Sequence, residues 1–230
     1  ARDIDWYAMG PGLSGIDAIK GAIMSDGVVG TCMAFDTPFI VAPAYTHYQP
    51  PTDTQEPNHA VAIVGWDDNK TTQAPLPGAW LCKNSWSTGW GLAGYFWISY
   101  YDKWCCRHPE MGAVSFQDVQ YLAYDGTYYH DYHGWRDTLN GTKEAFNLFN
   151  ATSAGQLQAV SFFTATENVT YTATVYDGFS GGALTGKLSE VKGFIGHQGY
   201  HTVDLTTAVN LAAGDDFCVH LKLSDGGQPY

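Results

Sequence analysis

The chain has 230 residues, on the order of one and a half average domains, so two domains are allowed but not forced. At 45% hydrophobic and 15% aromatic it can bury a sizeable core, and 26 Gly with 10 Pro favour many turns, which excludes a disordered, collagenous or coiled-coil chain. Eleven basic against 23 acidic residues give a net charge of −12 and exclude a phosphate-backbone partner, which needs clustered Lys and Arg.

In chain order, Ala1-Arg2-Asp3-Ile4-Asp5 has no signal-peptide architecture, and no apolar run downstream approaches the roughly 20 residues of a membrane-spanning helix. Ser14 with Asp17 reads as a weak capping box. Ile16, Ile19 and Ile23 follow at helical spacing and Gly27 is the stop, which predicts a helix over Gly15 to Asp26. Val28–Phe35, His59–Trp66, Ala79–Trp86 and Tyr95–Tyr101 are short β-like runs separated by Gly, Pro, Asp and Asn. The Pro-rich stretch Gln49 to Pro57 reads as an exposed loop that delivers the chain to His59. From Asp118 onward helix signals vanish. Ala159–Phe163, Val169–Tyr176, His201–Leu205 and Phe217–Leu223 alternate or are β-branched, the pattern of a β-sandwich. The expected division is 1–117 and 118–230.

Five cysteines carry no CxxC pair and no zinc spacing, so neither metal nor cofactor is expected. Cys105-Cys106 can pair with Cys32, Cys82 or Cys218, and the connectivity is not readable from the sequence. Four N-x-S/T sequons, at Asn69, Asn140, Asn150 and Asn168, favour an exported protein. The Asp-Gly pairs at Asp125, Asp177 and Asp225 read as ordinary turns.

The strongest local signal is the pair of runs from Asn58 to Trp66 and from Trp80 to Trp86. A hairpin centred on Thr71-Thr72 opposes positions that sum to 143: Ile63 with Trp80, Val61 with Cys82 and His59 with Asn84. An imidazole and a side-chain amide then meet at the open end. A neutral amide carbonyl fixes the tautomer of a histidine without adding charge, as a base serving a thiolate requires.

These residues resemble the papain-like cysteine peptidases over roughly Ile19 to Tyr101. Asn58-His59-Ala60-Val61 is similar to the family's histidine box. Lys83-Asn84-Ser85-Trp86-Ser87-Thr88-Gly89-Trp90-Gly91, followed by Gly94-Tyr95, is similar to its asparagine box. The resemblance implies that His59 is the catalytic base and acid and Asn84 its orienting partner. It implies further that Trp86 covers their hydrogen bond, that Trp90 lines the leaving-group side of the cleft, and that Asn58 and Ala60 flank the substrate. The family's nucleophile lies at a helix start about 130 residues before the histidine. Only 58 residues precede His59 here, so the cysteine is expected upstream of this chain. Cys32 sits inside a strand-like run, Cys82 at a packing position, and Cys105 and Cys106 beyond the asparagine strand.

The second region resembles the lectin-like domain appended to prokaryotic papain-like peptidases, through Tyr121 to Gly126, His133-Gly134-Trp135, Ala145 to Phe149 and Leu157 to Phe163. The expected fold class is therefore α+β, the β-rich C-terminal half of a papain-like fold followed by an all-β sandwich. The expected function is a secreted or cell-surface cysteine endopeptidase acting on peptides or proteins, here as a fragment inactive alone. Its second module would serve targeting, with a cell-envelope or glycan ligand. The alternative is a non-catalytic adhesion or carbohydrate-binding protein with a degenerate peptidase-like half. Exposed aromatics such as Trp135 or Tyr128-Tyr129 either stack on a sugar or pack the domain junction.

Overall fold

A computed structural model describes residues 1–230 apart from Leu122, so that one position of the Tyr121–Gly126 segment lies outside the described residues. The chain divides into Asp5–Gln117 and a second unit of Asp118–Tyr230 with Ala1–Ile4. The strands and helix of the first part are β1 (Asp3–Tyr7), α1 (Ile16–Asp26), β2 (Val29–Met33), β3 (Ile40–Val41), β4 (Thr46–His47), β5 (His59–Asp67), β6 (Ala79–Lys83), β7 (Tyr95–Ser99) and β8 (Ala113–Gln117). They form a sheet in the order β1-β8-β2-β5-β6-β7-β4-β3, in which β4 runs parallel to β7 while β2–β5, β2–β8, β3–β4, β5–β6 and β6–β7 are antiparallel. The core of this unit joins Ile19, Ala22 and Ile23 of α1 to Val29, Met33, Ile63, Trp80, Phe96 and Ile98 of the sheet.

The helix differs from expectation at its start. Gly15, in the left-handed region at φ 83°, is the N-cap, and Ser14 makes no capping bond. A Cβ on Gly15 would lie 2.4 Å from the carbonyl oxygen of Ala8, so the close approach there and not a hydroxyl cap defines the entry. Gly27 ends the helix as expected, its N–H donating to Ile23 O.

The β5–β6 hairpin corrects the predicted register. Ala62 opposes Lys83 and Ile63 opposes Cys82, a sum of 145, and beyond a bulge at Val64 the sum is 146, with Trp66 opposite Trp80. The connection is not a symmetric turn on Thr71-Thr72: pairing already stops at Asp67 and Ala79, and Gly78 N donates to Lys70 O across a wide loop. The slip at the open end is two residues. A slip of one would have turned every side chain over, whereas two leaves each on its original face.

A fully buried carboxylate organises the approach to β5. Asp102 accepts from the backbone N–H groups of Gln49 at 2.8 Å, Trp104 at 3.0 Å and Cys105 at 3.1 Å. Its Oδ2 also lies 3.2 Å from Nδ1 of His47, which is equally buried and whose Nε2 donates to Ala34 O. From this node Gln49 reaches Asp53 and Gln55, Lys103 Nζ donates to Asp53 O and Trp104 Nε1 donates to Gln55 O. The Pro-rich loop before Asn58 is thus tied down by its own sequence neighbours and by the 102–104 turn.

In the second unit the strands are β9 (Thr138–Leu139), β10 (Glu144–Asn150), β11 (Gly155–Thr164), β12 (Val169–Ser180), β13 (Ala183–Ile195), β14 (Gly199–Leu211), β15 (Asp216–Leu223) and β16 (Gln228–Pro229). β10-β15-β12-β13 form one antiparallel sheet, β11 pairs with β14 and β9 with β16. One core takes alternate residues: Val160 and Phe162; Val169, Tyr171, Ala173 and Val175; Leu205, Val209 and Leu211; Phe217 and Leu223. This is the two-layer alternation expected of a half-buried sheet. Asp177-Gly178 lies inside β12 and is not a turn; the β12–β13 hairpin turns instead on Gly181-Gly182, both at positive φ as a two-residue primed turn requires. The fold class is therefore α+β, with a single α-helix among the described residues.

Replacing Asp102 with Ala leaves three buried N–H donors, those of Gln49, Trp104 and Cys105, without their acceptor. Unfolding in urea is expected to show a loss of about 3–5 kcal/mol. An unchanged midpoint at unchanged slope would mean that the node carries no net stability.

Candidate active site

His59 opens β5, opposite Met33 of β2, and is half-buried. Asn84 follows directly on β6 and is 6% exposed. The β5–β6 ladder ends at Ala62 and Lys83, and extending its register by one residue puts Asn84 opposite Val61, with His59 its diagonal neighbour on the same face, within reach of long side chains. The Nε2 of His59 lies 2.9 Å from Oδ1 of Asn84. That oxygen also accepts from Ser85 N at 2.8 Å, which fixes the amide's orientation. Nε2 therefore carries the proton, and in the neutral ring Nδ1 is left with its lone pair.

Trp86 stacks on the imidazole, with ring centroids 4.8 Å apart and planes 28° from parallel. Trp90 meets Trp86 edge-on at 5.0 Å and also packs against Phe96 and Tyr45. The loop from Asn84 to Tyr95 that carries both is set by backbone. Asn84 N donates to Gly94 O, and a Cβ on Gly91, at φ 64°, would lie 2.5 Å from Tyr95 O, so only glycine closes the loop there. Ala60 is exposed and pairs with Cys32 of β2.

Asn58 does something its sequence position did not reveal. Its Oδ1 accepts from Phe35 N at 2.8 Å and its Nδ2 donates to Phe35 O at 3.1 Å, so its amide clamps the backbone just after β2. Phe35 in turn stands edge-on to Trp86 at 4.5 Å and 6.3 Å from the His59 ring. Phe35 is thus a member of the aromatic cluster around His59 that no motif marks, because β2–β5 pairing brings it there from a distant stretch of chain. His59, Asn84, Trp86, Trp90 and Asn58 share one site, while Ala60 lies at its edge.

The thiols are elsewhere. All five cysteines are free and buried, so the pairing open to Cys105 or Cys106 with a distant cysteine is not made. Cys105 Sγ and Cys106 Sγ approach to 3.9 Å. Burial pushes the Cys82 and Cys105 thiols well above the ordinary range, raises Cys218, and pushes Cys32 up to about 11. None of these four has the lowered pKa of a nucleophile.

An imidazole oriented by an amide under an indole, on a sheet of this topology, defines a class. Residues 14–115 match the profile of the papain family cysteine proteases, and residues 127–230 match that of the lectin-like domain. The chain is a papain-family peptidase region followed by a lectin-like domain. It is similar to the structure of the clostridial cysteine protease Cwp84 after propeptide cleavage, at 25% identity and a TM-score of 0.78, over 96% of this chain and 55% of that one. It is similar also to the cysteine protease and lectin-like domains of Cwp84, a surface layer associated protein of Clostridium difficile, at 24% identity and a TM-score of 0.75, over 99% and 51%. The chain therefore spans about half the length of these two structures.

Native-state alkylation by iodoacetamide should be slow at pH 5 to 7 for every cysteine. Because the folded Cys32 pKa lies above that of a free thiol, its thiolate fraction and its rate should climb about tenfold per pH unit until about pH 11. Peptide mapping of alkylated protein checks this, and one cysteine modified rapidly near pH 5 would contradict it.

Proposed function

We infer that this chain carries the histidine–asparagine half of a cysteine endopeptidase, over 1–117, and a targeting module, over 118–230. The nucleophilic cysteine is supplied by protein outside these residues, so the chain alone is inactive. The observation that carries this reading is the 2.9 Å contact of His59 Nε2 with Asn84 Oδ1 beneath Trp86.

With Nε2–H held by Asn84, Nδ1 is the atom that takes the thiol proton, giving an imidazolium beside a thiolate. The thiolate attacks the scissile carbonyl carbon, and His59 returns the proton to the departing amine. A water then loses a proton to His59 as its oxygen bonds the acyl carbon, and the thiolate leaves. Asn84 holds the ring in one orientation throughout without a charge that would compete with the thiolate for the imidazolium. Trp86 keeps water from the hydrogen bond, which strengthens it. Phe35 and Trp90 complete an aromatic wall on the leaving-group side, and Asn58 acts through Phe35 as a positioning residue beside the substrate.

The lectin-like domain suits attachment to a glycan or to the cell envelope, and the surface layer association of Cwp84 favours an exported, surface-bound setting for the whole protein. Peptides or proteins are the substrates.

In the whole protein, His59→Ala should lower kcat/KM on a peptide substrate by about 10²–10⁴. Asn84→Ala should lower kcat by a smaller factor with KM little changed. The 230-residue chain alone should release no product from the same peptide. Undiminished turnover by the His59 variant would reject the assigned base, and turnover by the isolated chain would place the nucleophile within it.

A further inference from the structure

Cys105 and Cys106 lie between β7 and β8, fully buried in the core of the peptidase region and outside the mechanism above. Their sulfurs are 3.9 Å apart. We propose that the pair is a redox-modified site: a small peroxide joins the two sulfurs in a vicinal disulfide, and closing that ring withdraws the Cys105 N–H from Asp102 and loosens the approach to His59.

Neighbouring side chains of an extended chain point to opposite sides, which keeps adjacent sulfurs apart. Here Cys106 has φ 60°, on the left-handed side that residues with a β-carbon seldom occupy. Its surroundings hold it there: Cys106 N donates to Thr31 Oγ1 at 2.8 Å, and Cys106 O accepts from Met9 N at 2.8 Å. Thiols serving only as apolar filler need no such backbone, and strain of this kind persists only where the structure around it over-determines it. A disulfide bond is about 2.05 Å long, so the sulfurs have to close by roughly 2 Å.

The chemistry uses a peroxide as the two-electron oxidant. One sulfur, as thiolate, attacks a peroxide oxygen; the O–O bond breaks, and the released oxygen leaves as water, giving a sulfenic acid. The second sulfur displaces the sulfenic hydroxyl, the S–S bond forms, and a second water leaves. Two thiols have lost two protons and two electrons, and one hydrogen peroxide has become two waters. Peroxide is close to water in size, and the pair sits in a stretch from Tyr100 to Gly112 without helix or strand, a segment of the kind that opens locally at low cost. Burial pushes the Cys105 thiol well above the ordinary range, which makes its thiolate scarce and the reaction slow. The same property makes its sulfur a poor leaving group, so the disulfide, once closed, resists reduction.

The two ends of the pair are held unequally. Cys106 is fixed to β2 through Thr31, whose hydroxyl donates in turn to Gly112 O at 2.9 Å. Cys105 N reaches Asp102 Oδ1 at 3.1 Å, the longest of that carboxylate's three backbone bonds. The movement that closes the ring therefore falls on Cys105 and on its bond to Asp102. Asp102 also accepts from Gln49 N, from which the loop to Asn58 is tied down, so the disturbance is passed toward His59.

The site rests on the Asp102 node and not on the peptidase reading, which its failure leaves untouched. The 230-residue chain is held with hydrogen peroxide for hours under native conditions, with circular dichroism recording that it stays folded. Denaturation, alkylation and tryptic mapping follow, and cleavage after Lys103 and Arg107 isolates Trp104–Arg107. That peptide should lose about 2 Da and resist alkylation, while the other cysteines remain open to it, and dithiothreitol should reverse the change. Hydrogen exchange of the backbone amides of residues 49–58 should quicken at least about tenfold in the oxidised chain and return on reduction. A disulfide mapped to any other pair, sulfinic acid in place of a disulfide, or bond formation only after unfolding would overturn the site. A vicinal disulfide that leaves exchange of residues 49–58 unchanged would overturn its coupling to the approach to His59. The mass of the parent chain decides the site without any variant, and Cys105→Ser, where it folds, should show neither the mass loss nor the quickened exchange.

Discussion

The peptidase region depends on one buried charge. Asp102 lies in a turn that follows β7, yet its carboxylate collects the backbone donors of Gln49, Trp104 and Cys105 and lies 3.2 Å from Nδ1 of His47. A carboxylate without water is tolerated only when its lone pairs are filled, and here the filling groups come both from its own turn and from the distant stretch around His47 and Gln49. The loop that leads to Asn58 and His59 has no regular secondary structure of its own, so its shape is inherited from this node. The placement of His59 is therefore a long-range property, although His59 and Asn84 lie on adjacent strands.

From that base the site is assembled in layers. The hairpin brings imidazole and amide together, the loop after Asn84 sets Trp86 over the imidazole, and the Asn58 clamp holds Phe35 against Trp86. Each layer constrains the rotamer of the one beneath. A single hydrogen bond of this kind contributes little to stability on its own, about 1 kcal/mol. Its value is that the ring has one orientation, which the stack and the edge contacts enforce.

Much of this was legible because it is local. The helix, the strand runs and the alternating core of the second unit follow from period and turn chemistry, and the box from Lys83 to Gly91 carries its own geometry in its glycines. What escaped is what has no local signature. The bulge at Val64 and the wide loop after Asp67 changed the register, since a loop's midpoint predicts pairing only when the turn is symmetric. Ser14 was outcompeted as a cap by a glycine pressed against Ala8 O. Phe35 and Asp102 matter through partners far along the chain, Asn58 in one case and Gln49 in the other, and a string of residues does not display such meetings.

The β5–β6 hairpin has a further property. Its open end carries the imidazole and the amide, its closed end carries only the loop from Asp68 to Gly78, and the Val64 bulge stands between them. A bulge absorbs an odd residue locally, so an insertion or deletion beyond it changes the far end of the ladder and is not transmitted to the near end. The hairpin acts as a mechanical buffer. A change of length in the distal loop is thus a matter for the contacts that loop makes, such as Gln73 with Phe39 O and Thr46 O, while the pair at the other end keeps its alignment.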